Sequence, residues 1–65
     1  MEVFDISEGE MKVISNIRET LLKATGKDVI ADIAEIDEDS ITVIYEYGDK
    51  MDIVLINRKT LQWTI

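Results

Sequence analysis

The residue types that most often perform catalysis or bind metal ions are scarce in this sequence. It has no cysteine and no histidine, which excludes a zinc site built from their sulfur and nitrogen atoms and excludes cysteine or serine–histidine nucleophile pairs. Ser7, Ser15 and Ser40 occupy a predicted helix cap, a polar helix face and a predicted turn, where serine usually has a structural role. We therefore predict no catalytic nucleophile.

Two short segments match known binding motifs only in part. Residues 25–27, Thr-Gly-Lys, have the order found in phosphate-binding loops, but Leu21 stands where the motif needs a glycine and Asp28 where it needs serine or threonine. Residues 37–39, Asp-Glu-Asp, could offer carboxylates to Ca²⁺, but Ile41 occupies a ligand position and the glycine of an EF-hand loop is missing. We interpret the two segments as a helix end and an acidic turn, and we predict no metal and no cofactor.

The nearby acids also lack the arrangement that acid–base chemistry requires. Asp28, Asp32 and Glu35 are spread along a predicted strand, on alternating faces, whereas carboxyl catalysts must converge on one substrate position. We therefore predict that the protein is not an enzyme.

Composition indicates one small acidic domain over residues 1–65. The chain is 46% apolar and 32% charged, with a net charge of −7, and nucleic-acid binding is disfavoured because phosphate contacts need clustered lysine and arginine. The acidic N-terminus resembles neither a signal peptide nor a membrane span, so we expect a soluble, cytoplasmic protein. A chain this short buries little surface, and without disulfides or metals it usually gains stability by association.

An amphipathic helix is predicted over residues 8–25. Ser7 followed by Glu10 has the pattern of a capping box, and apolar residues then recur at three- and four-residue spacing along one stripe. Gly26 is placed to end the helix in the left-handed conformation.

After the helix, β-branched residues predict four strands, over residues 29–36, 41–47, 51–57 and 61–65. The connections are short enough to permit only antiparallel neighbours. The predicted fold class is therefore α+β, with one N-terminal amphipathic helix packed on a four-stranded antiparallel β-meander in the order α-β-β-β-β.

A type II′ turn at Gly48 and Asp49 fixes the predicted register of the central hairpin, in which Tyr45 pairs with Asp52 and Val43 with Val54. If the other turns also close on two residues, Ile36 meets Ile41, Ala34 meets Val43, Ile56 meets Leu61 and Val54 meets Trp63. One face of the sheet then carries Ile30, Ala34, Ile36, Ile41, Val43, Tyr45, Val54, Ile56, Leu61, Trp63 and Ile65. The other carries Val29, Ala31, Ile33, Ile44, Met51, Ile53 and Leu55.

A single helix can cover only one of these two apolar faces, which leaves the other as an exposed patch of the kind that marks interaction sites. We therefore expect a homo-oligomer, most simply a two-fold dimer. The favoured arrangement stacks the two sheets face to face, and the alternative displaces the helix of each copy so that it covers the neighbouring copy. The predicted interface residues are Ile33, Ile44, Met51, Ile53 and Leu55.

The runs LLKATGKDVIADIAEID and ITVIYEYGDKMDIVLINRKTLQW cover residues 21–37 and 41–63. A helix ending in glycine, a β-meander, a Tyr-Glu strand and a closing turn that contains Asn57 and Thr60 together resemble a PepSY-type module. The resemblance implies a non-enzymatic regulatory or inhibitory domain, and it assigns no functional residue.

The sequence thus favours a small acidic protein-interaction or regulatory module that homodimerises or docks through an apolar sheet face. The alternative is an acidic inhibitor or decoy, of the type that viruses and mobile elements encode, that blocks a basic site on a partner enzyme. A small-molecule or enzymatic domain is a third hypothesis, disfavoured because no polar residues converge on a pocket.

Overall fold

The computed structural model describes residues 6–64. It contains one helix followed by a four-stranded sheet in which every neighbouring pair of strands is antiparallel and the strand order follows the sequence. The elements are α1 (Glu8–Thr25), β1 (Ile30–Ile36), β2 (Ser40–Tyr47), β3 (Lys50–Asn57) and β4 (Trp63–Thr64). The predicted α+β class and its α-β-β-β-β order are confirmed, while Ile65, the end of the predicted last strand, lies outside the described residues.

Both ends of α1 are set by the residues that the sequence pattern indicated. The Ser7 hydroxyl accepts a hydrogen bond from the Glu10 backbone N–H at 3.2 Å, and the Glu10 carboxylate accepts one from the Ser7 N–H at 2.9 Å. At the other end Gly26 has φ 70°, and its N–H donates to the Leu22 carbonyl at 2.7 Å. These contacts satisfy backbone groups that a helix end otherwise leaves unpaired.

The core lies between α1 and one face of the sheet. Ile14 and Ile17 of the helix are buried against it, and the Tyr45 hydroxyl donates to the Ile14 carbonyl at 3.0 Å, so this face is the one that the helix covers. The buried apolar residues are Ile14, Ile17, Val29, Ile41, Val43, Tyr45, Tyr47, Val54 and Ile56.

An ion pair joins the start of α1 to the loop that follows β3. Arg58, in the loop after β3, donates from Nε to the Glu10 carboxylate at 2.8 Å and from Nη1 to the Asp37 carbonyl at 2.9 Å. The Arg58 guanidinium holds the pKa of Glu10 below its ordinary value, mainly through this hydrogen bond. The Arg58 side chain thus links α1 to the β1–β2 loop and to the β3–β4 loop.

The central hairpin has the predicted register throughout. Gly48 has φ 59°, as the first central position of a type II′ turn requires. Tyr47 opposes Lys50, Tyr45 opposes Asp52 and the pairing continues without a break to the end of both strands.

The pairing of β1 with β2 differs from the prediction because β1 contains a bulge. Ile36 opposes Ile41 as expected, but the register shifts between Ile33 and Glu35, so that Ile33 instead of Ala34 opposes Val43. One extra residue in a strand moves every earlier side chain to the opposite face. Val29, Ala31 and Ile33 were therefore assigned to the wrong face, as was Ile30. Val29 is buried in the core and Ala31 packs against it.

The loop between β3 and β4 is longer than predicted. The Asn57 side-chain oxygen accepts from the N–H groups of Lys59 at 2.8 Å and Thr60 at 3.2 Å, which folds the chain back on itself locally. Leu61 takes the left-handed conformation at φ 62°, and the Asn57 N–H donates to the Gln62 carbonyl at 2.8 Å. Four residues, 58–61, thus separate Asn57 from Gln62 opposite it, where two were expected.

The longer loop displaces β4 by two residues along β3. Ile56 opposes Trp63 and not Leu61, so the predicted pairings of Ile56 with Leu61 and Val54 with Trp63 are wrong. A shift of two residues leaves side chains on their original faces because the side-chain period of a strand is two.

Candidate interaction surface

The face of the sheet that points away from α1 is here called the open face. Directly opposed residues of antiparallel strands share a face, so the register defines this face in rows. The open-face residues are Ile30, Asp32, Glu35, Ser40, Thr42, Ile44, Glu46, Met51, Ile53, Leu55, Asn57 and Thr64.

Large apolar side chains on the open face remain exposed. Ile30 is 59% exposed, Met51 57%, and Ile53 and Leu55 are each 49% exposed. On the opposite face of the same strands, Val54 and Ile56 are 0% exposed. Contiguous exposed apolar surface of this kind is uncommon on soluble monomers away from functional sites.

The structure brings four of the five predicted interface residues together. Ile44 opposes Ile53 at the centre of the open face, with Met51 and Leu55 two residues away on either side along β3. Ile33 is not with them. It opposes Val43 on the helix side of the sheet, where it is 42% exposed at the outer strand.

Ile30 belongs to the open face but was missed by the sequence interpretation. Its place depends on the bulge next to Ala34, and β1 contains none of the glycine residues that often indicate a bulge. The one available signal is Val29, the apolar residue directly before Ile30. If Val29 is buried in the core, Ile30 must lie on the opposite face of the sheet.

Charge is distributed unevenly on the open face. Asp32 and Glu35 lie on β1 and Glu46 lies on β2, whereas the open-face residues of β3 and β4 are uncharged. A hydrogen bond with the Asp37 side chain, together with repulsion from its charge, raises the pKa of Glu35. The open face thus has an acidic side at β1 and β2 and an apolar side at β3.

An open cleft of about 760 Å³ adjoins the apolar side of the open face, where β4 leaves β3. Leu55, Asn57 and Thr64 belong to both surfaces, and Leu61 and Trp63 add apolar lining. The cleft extends the apolar side of the open face towards the β3–β4 loop.

Neither a metal-binding cluster nor a membrane-spanning helix is found in the part of the chain that the structure describes. Residues 6–64 contain no group of three histidine, cysteine, aspartate or glutamate residues placed to hold a metal ion. Over the same residues, no helix has the length and apolar character needed to cross a membrane.

Comparison with known proteins identifies no relative, since no protein-family model, curated protein or solved structure matches this chain. The resemblance to PepSY-type modules therefore stays a prediction.

Proposed function

We propose that this protein is a non-enzymatic interaction and regulatory module that works by binding another protein surface through its open face. The observation that carries the proposal is the exposure of Met51, Ile53 and Leu55, which follow one another along the open face of β3. Apolar side chains of this size gain free energy when a partner removes them from water.

A second copy of the chain is the partner that we propose. Two-fold dimers are the commonest closed assemblies, and a sheet face can serve as the same surface on both copies. Self-association would also add stability to a chain of 65 residues that has neither cysteine nor histidine, since a domain of this size is expected to be marginally stable by itself.

The size of the open face is compatible only with a weak dimer. Its strands contain 7, 8, 8 and 2 residues, which at about 3.3 Å per residue and about 4.8 Å between strands give an area of about 400 Å² per copy, or about 800 Å² for two copies. That total is below the range of about 1,200–2,000 Å² that stable specific interfaces bury. The hydrophobic gain, on the order of 10 kcal/mol at about 25 cal/mol per Å² of apolar area, is partly offset by the entropy lost on association.

Light scattering on a sizing column tests this proposal with a matched pair of variants. We expect the wild type to have twice the chain mass of 7.4 kDa at high micromolar concentration. Ile53→Asp, on the open face, should give a monomer, whereas Ile33→Asp, at a similarly exposed isoleucine on the other face, should remain dimeric.

Circular dichroism of both variants identifies any loss of fold before the masses are compared. A wild type that keeps the mass of one chain at high micromolar concentration contradicts self-association. Dimers that survive Ile53→Asp but not Ile33→Asp contradict the assignment of the interface to the open face.

The second candidate function is an acidic decoy for a basic site on another protein. It is favoured by the three carboxylates of the open face and by the net charge of −7. Salt separates the two functions, because attraction between exposed charges is screened over about 10 Å at 0.1 M ionic strength while apolar burial is not. Self-association that persists in 1 M NaCl supports the apolar interface, whereas binding to a basic test protein at low salt that 1 M NaCl abolishes supports the acidic decoy.

A further inference from the structure

The edge of β3 that faces away from β2 is paired over only part of its length. β4 reaches only Leu55 and Ile56, whereas β2 pairs with every residue of β3. Among the described residues, no strand lies beside residues 51–53 on the outer side of β3. This segment of β3, made of Met51, Asp52 and Ile53, is here called the free edge.

The backbone groups that point out of the free edge belong to Met51 and Ile53. The Asn57 N–H donates to the Gln62 carbonyl, on the side of β4, at 2.8 Å. Hydrogen-bonding directions alternate along an antiparallel strand, so every second residue before Asn57 points its N–H and C=O to that same side. The N–H and C=O groups of Met51 and Ile53 therefore point away from β2, and these four groups are the ones that a further strand would bind.

The other outer edge of the sheet, on β1, is built differently. β1 has a bulge between Ile33 and Glu35, and Asp32 and Glu35 place two carboxylates on it. Bulges and charged side chains are features that keep the edges of sheets from pairing with other chains. The pairing of β2 with β3 contains no bulge, so the free edge keeps the regular geometry that an added strand requires.

The side chains around the free edge determine which partner strand fits it. Met51 is 57% exposed and Ile53 49% exposed on the open face, so apolar residues opposite them would gain cross-strand contacts. Asp52 and Lys50 lie on the helix side of the same strand, and the Asp52 carboxylate accepts a hydrogen bond from the Tyr47 hydroxyl. A basic residue opposite Asp52 and an acidic residue opposite Lys50 would form cross-strand pairs of opposite charge.

A second copy of the chain matches the free edge poorly. In the antiparallel register that pairs Met51 of each copy with Ile53 of the other, the two Asp52 side chains lie directly opposite each other. Like charges in directly opposed positions destabilise the pairing of strands. A strand of different sequence avoids this repulsion, so the occupant that fits is a segment of another protein.

We propose that the free edge of β3 binds an extended segment of another protein, which adds a strand to the sheet through main-chain hydrogen bonds. The segment runs antiparallel to β3, with apolar residues opposite Met51 and Ile53 and a basic residue between them. In strand addition the backbone supplies affinity and alternate side chains supply specificity. The inference concerns backbone groups at an edge, so it does not depend on self-association through the open face.

Amide hydrogen exchange with a synthetic peptide tests the proposal on the wild type. The probe is Thr-Val-Lys-Val-Glu-Thr, blocked at both ends, and the control is the same peptide with both valines N-methylated, which removes the N–H groups that would donate to β3. In the free protein the amides of Met51 and Ile53 should exchange faster than those of Asp52 and Val54, which face β2. At a concentration of about ten times its Kd, the probe should slow exchange at Met51 and Ile53 about tenfold, and the control should not.

Ile53→Pro tests the same edge from the side of the protein. Proline removes an N–H that points out of the sheet and leaves the hydrogen bonds between β3 and β2 in place, as edge strands tolerate. We expect an unchanged circular dichroism spectrum and an affinity for the probe that is lower by about tenfold. Ile53→Val keeps the N–H and should bind like the wild type. If Ile53→Pro does not fold, the methylated peptide makes the equivalent comparison on the wild type.

Three results overturn the inference. The first is equal binding of the two peptides, and the second is no binding of the probe at millimolar concentration. The third is slow exchange at Met51 and Ile53 in the free protein. If that slow exchange is independent of protein concentration, the edge is already paired within the chain, and if it increases with concentration, a second copy pairs there.

Discussion

The two faces of this sheet are built from the same strands, yet one has a cover and the other does not. Along β3, Val54 and Ile56 are completely buried under α1, while Ile53 and Leu55, their immediate neighbours in sequence, are each 49% exposed. A strand that is apolar at both alternating sets of positions is typical of a strand buried on both sides. The comparison indicates that β3 is suited to two covers, of which the described chain provides one.

β2, the strand next to β3, is apolar mainly on its helix side, which indicates where a contact on the open face is centred. The helix side of β2 is fully apolar or aromatic, at Ile41, Val43 and Tyr45. Its open side alternates Thr42 and Glu46 with the single apolar Ile44. Polar residues at those positions suit a surface at the edge of a contact, so the contact we propose is centred on β3.

The strongest test of the contrast compares adjacent residues of β3. Ile56→Ala removes a fully buried side chain and should lower the free energy of unfolding by about 3 kcal/mol. Leu55→Ala should change the stability of the monomer by less than about 1 kcal/mol, because half of that side chain is already in water. Urea denaturation at low protein concentration, where dimers are dissociated, measures both. Equal losses at the two positions would mean that the faces do not differ as described.

A second test concerns the turn that sets which residues of β2 and β3 share a face. Gly48→Val forces a branched residue into φ 59° and brings its Cβ to 2.9 Å from the Lys27 ammonium. We expect a loss of about 2 kcal/mol. Asp49→Asn is the control, since asparagine is well accepted in turns. If denaturation shows equal tolerance at both positions, the turn does not determine the register.

A third test weakens α1, the helix that covers one face of the sheet. Ser7→Ala removes the hydroxyl that caps α1 and should cost about 1 kcal/mol. Ser15→Ala, on the exposed side of the same helix, should have little effect or stabilise slightly, because alanine has the higher helix propensity. An unchanged denaturation midpoint for Ser7→Ala would contradict the role of the capping box.

A fourth test uses pH to weaken the ion pair between Glu10 and Arg58 at the start of α1. The pKa of Glu10 is lowered by Arg58 in the folded state, so the stabilisation is present above the unfolded-state pKa, near 4.5, and is lost as the pH falls through the lower folded-state value. Glu10→Gln removes the titrating group. We expect its unfolding free energy to decline less steeply than that of the wild type below pH 4.5. Parallel pH profiles would show that this ion pair does not contribute to acid unfolding.

Much of the fold could be predicted from the sequence because the determining interactions are local. Ser7, Glu10 and Gly26 delimit the helix through contacts within four residues of each other. The Gly48 turn closes on two residues, so its register follows from the turn type alone. The α-β-β-β-β order follows from these elements and their short connections.

The errors occur where side-chain contacts or a strand bulge decide the geometry. Asn57 lengthens the β3–β4 loop by folding the backbone onto its side-chain oxygen, which a count of turn residues does not reveal. The β1 bulge places Ile30 on the open face and Ile33 on the helix side of the sheet, and Val29 then packs in the core. No glycine in β1 indicates this bulge in the sequence. The hairpin residues Ile44, Met51, Ile53 and Leu55 were placed together because neither error reaches their strand pair.

The most direct test of the central claim is a dilution series followed by the methyl signals of isoleucine, which is present on both faces. If the open face binds a second copy, the signals of Ile53 and Ile44 should shift as the concentration falls from millimolar to micromolar, while those of Ile41 and Ile56 should stay fixed. The two faces are thereby compared within one sample. Shifts confined to the covered face, or no concentration dependence at any isoleucine, would contradict the account.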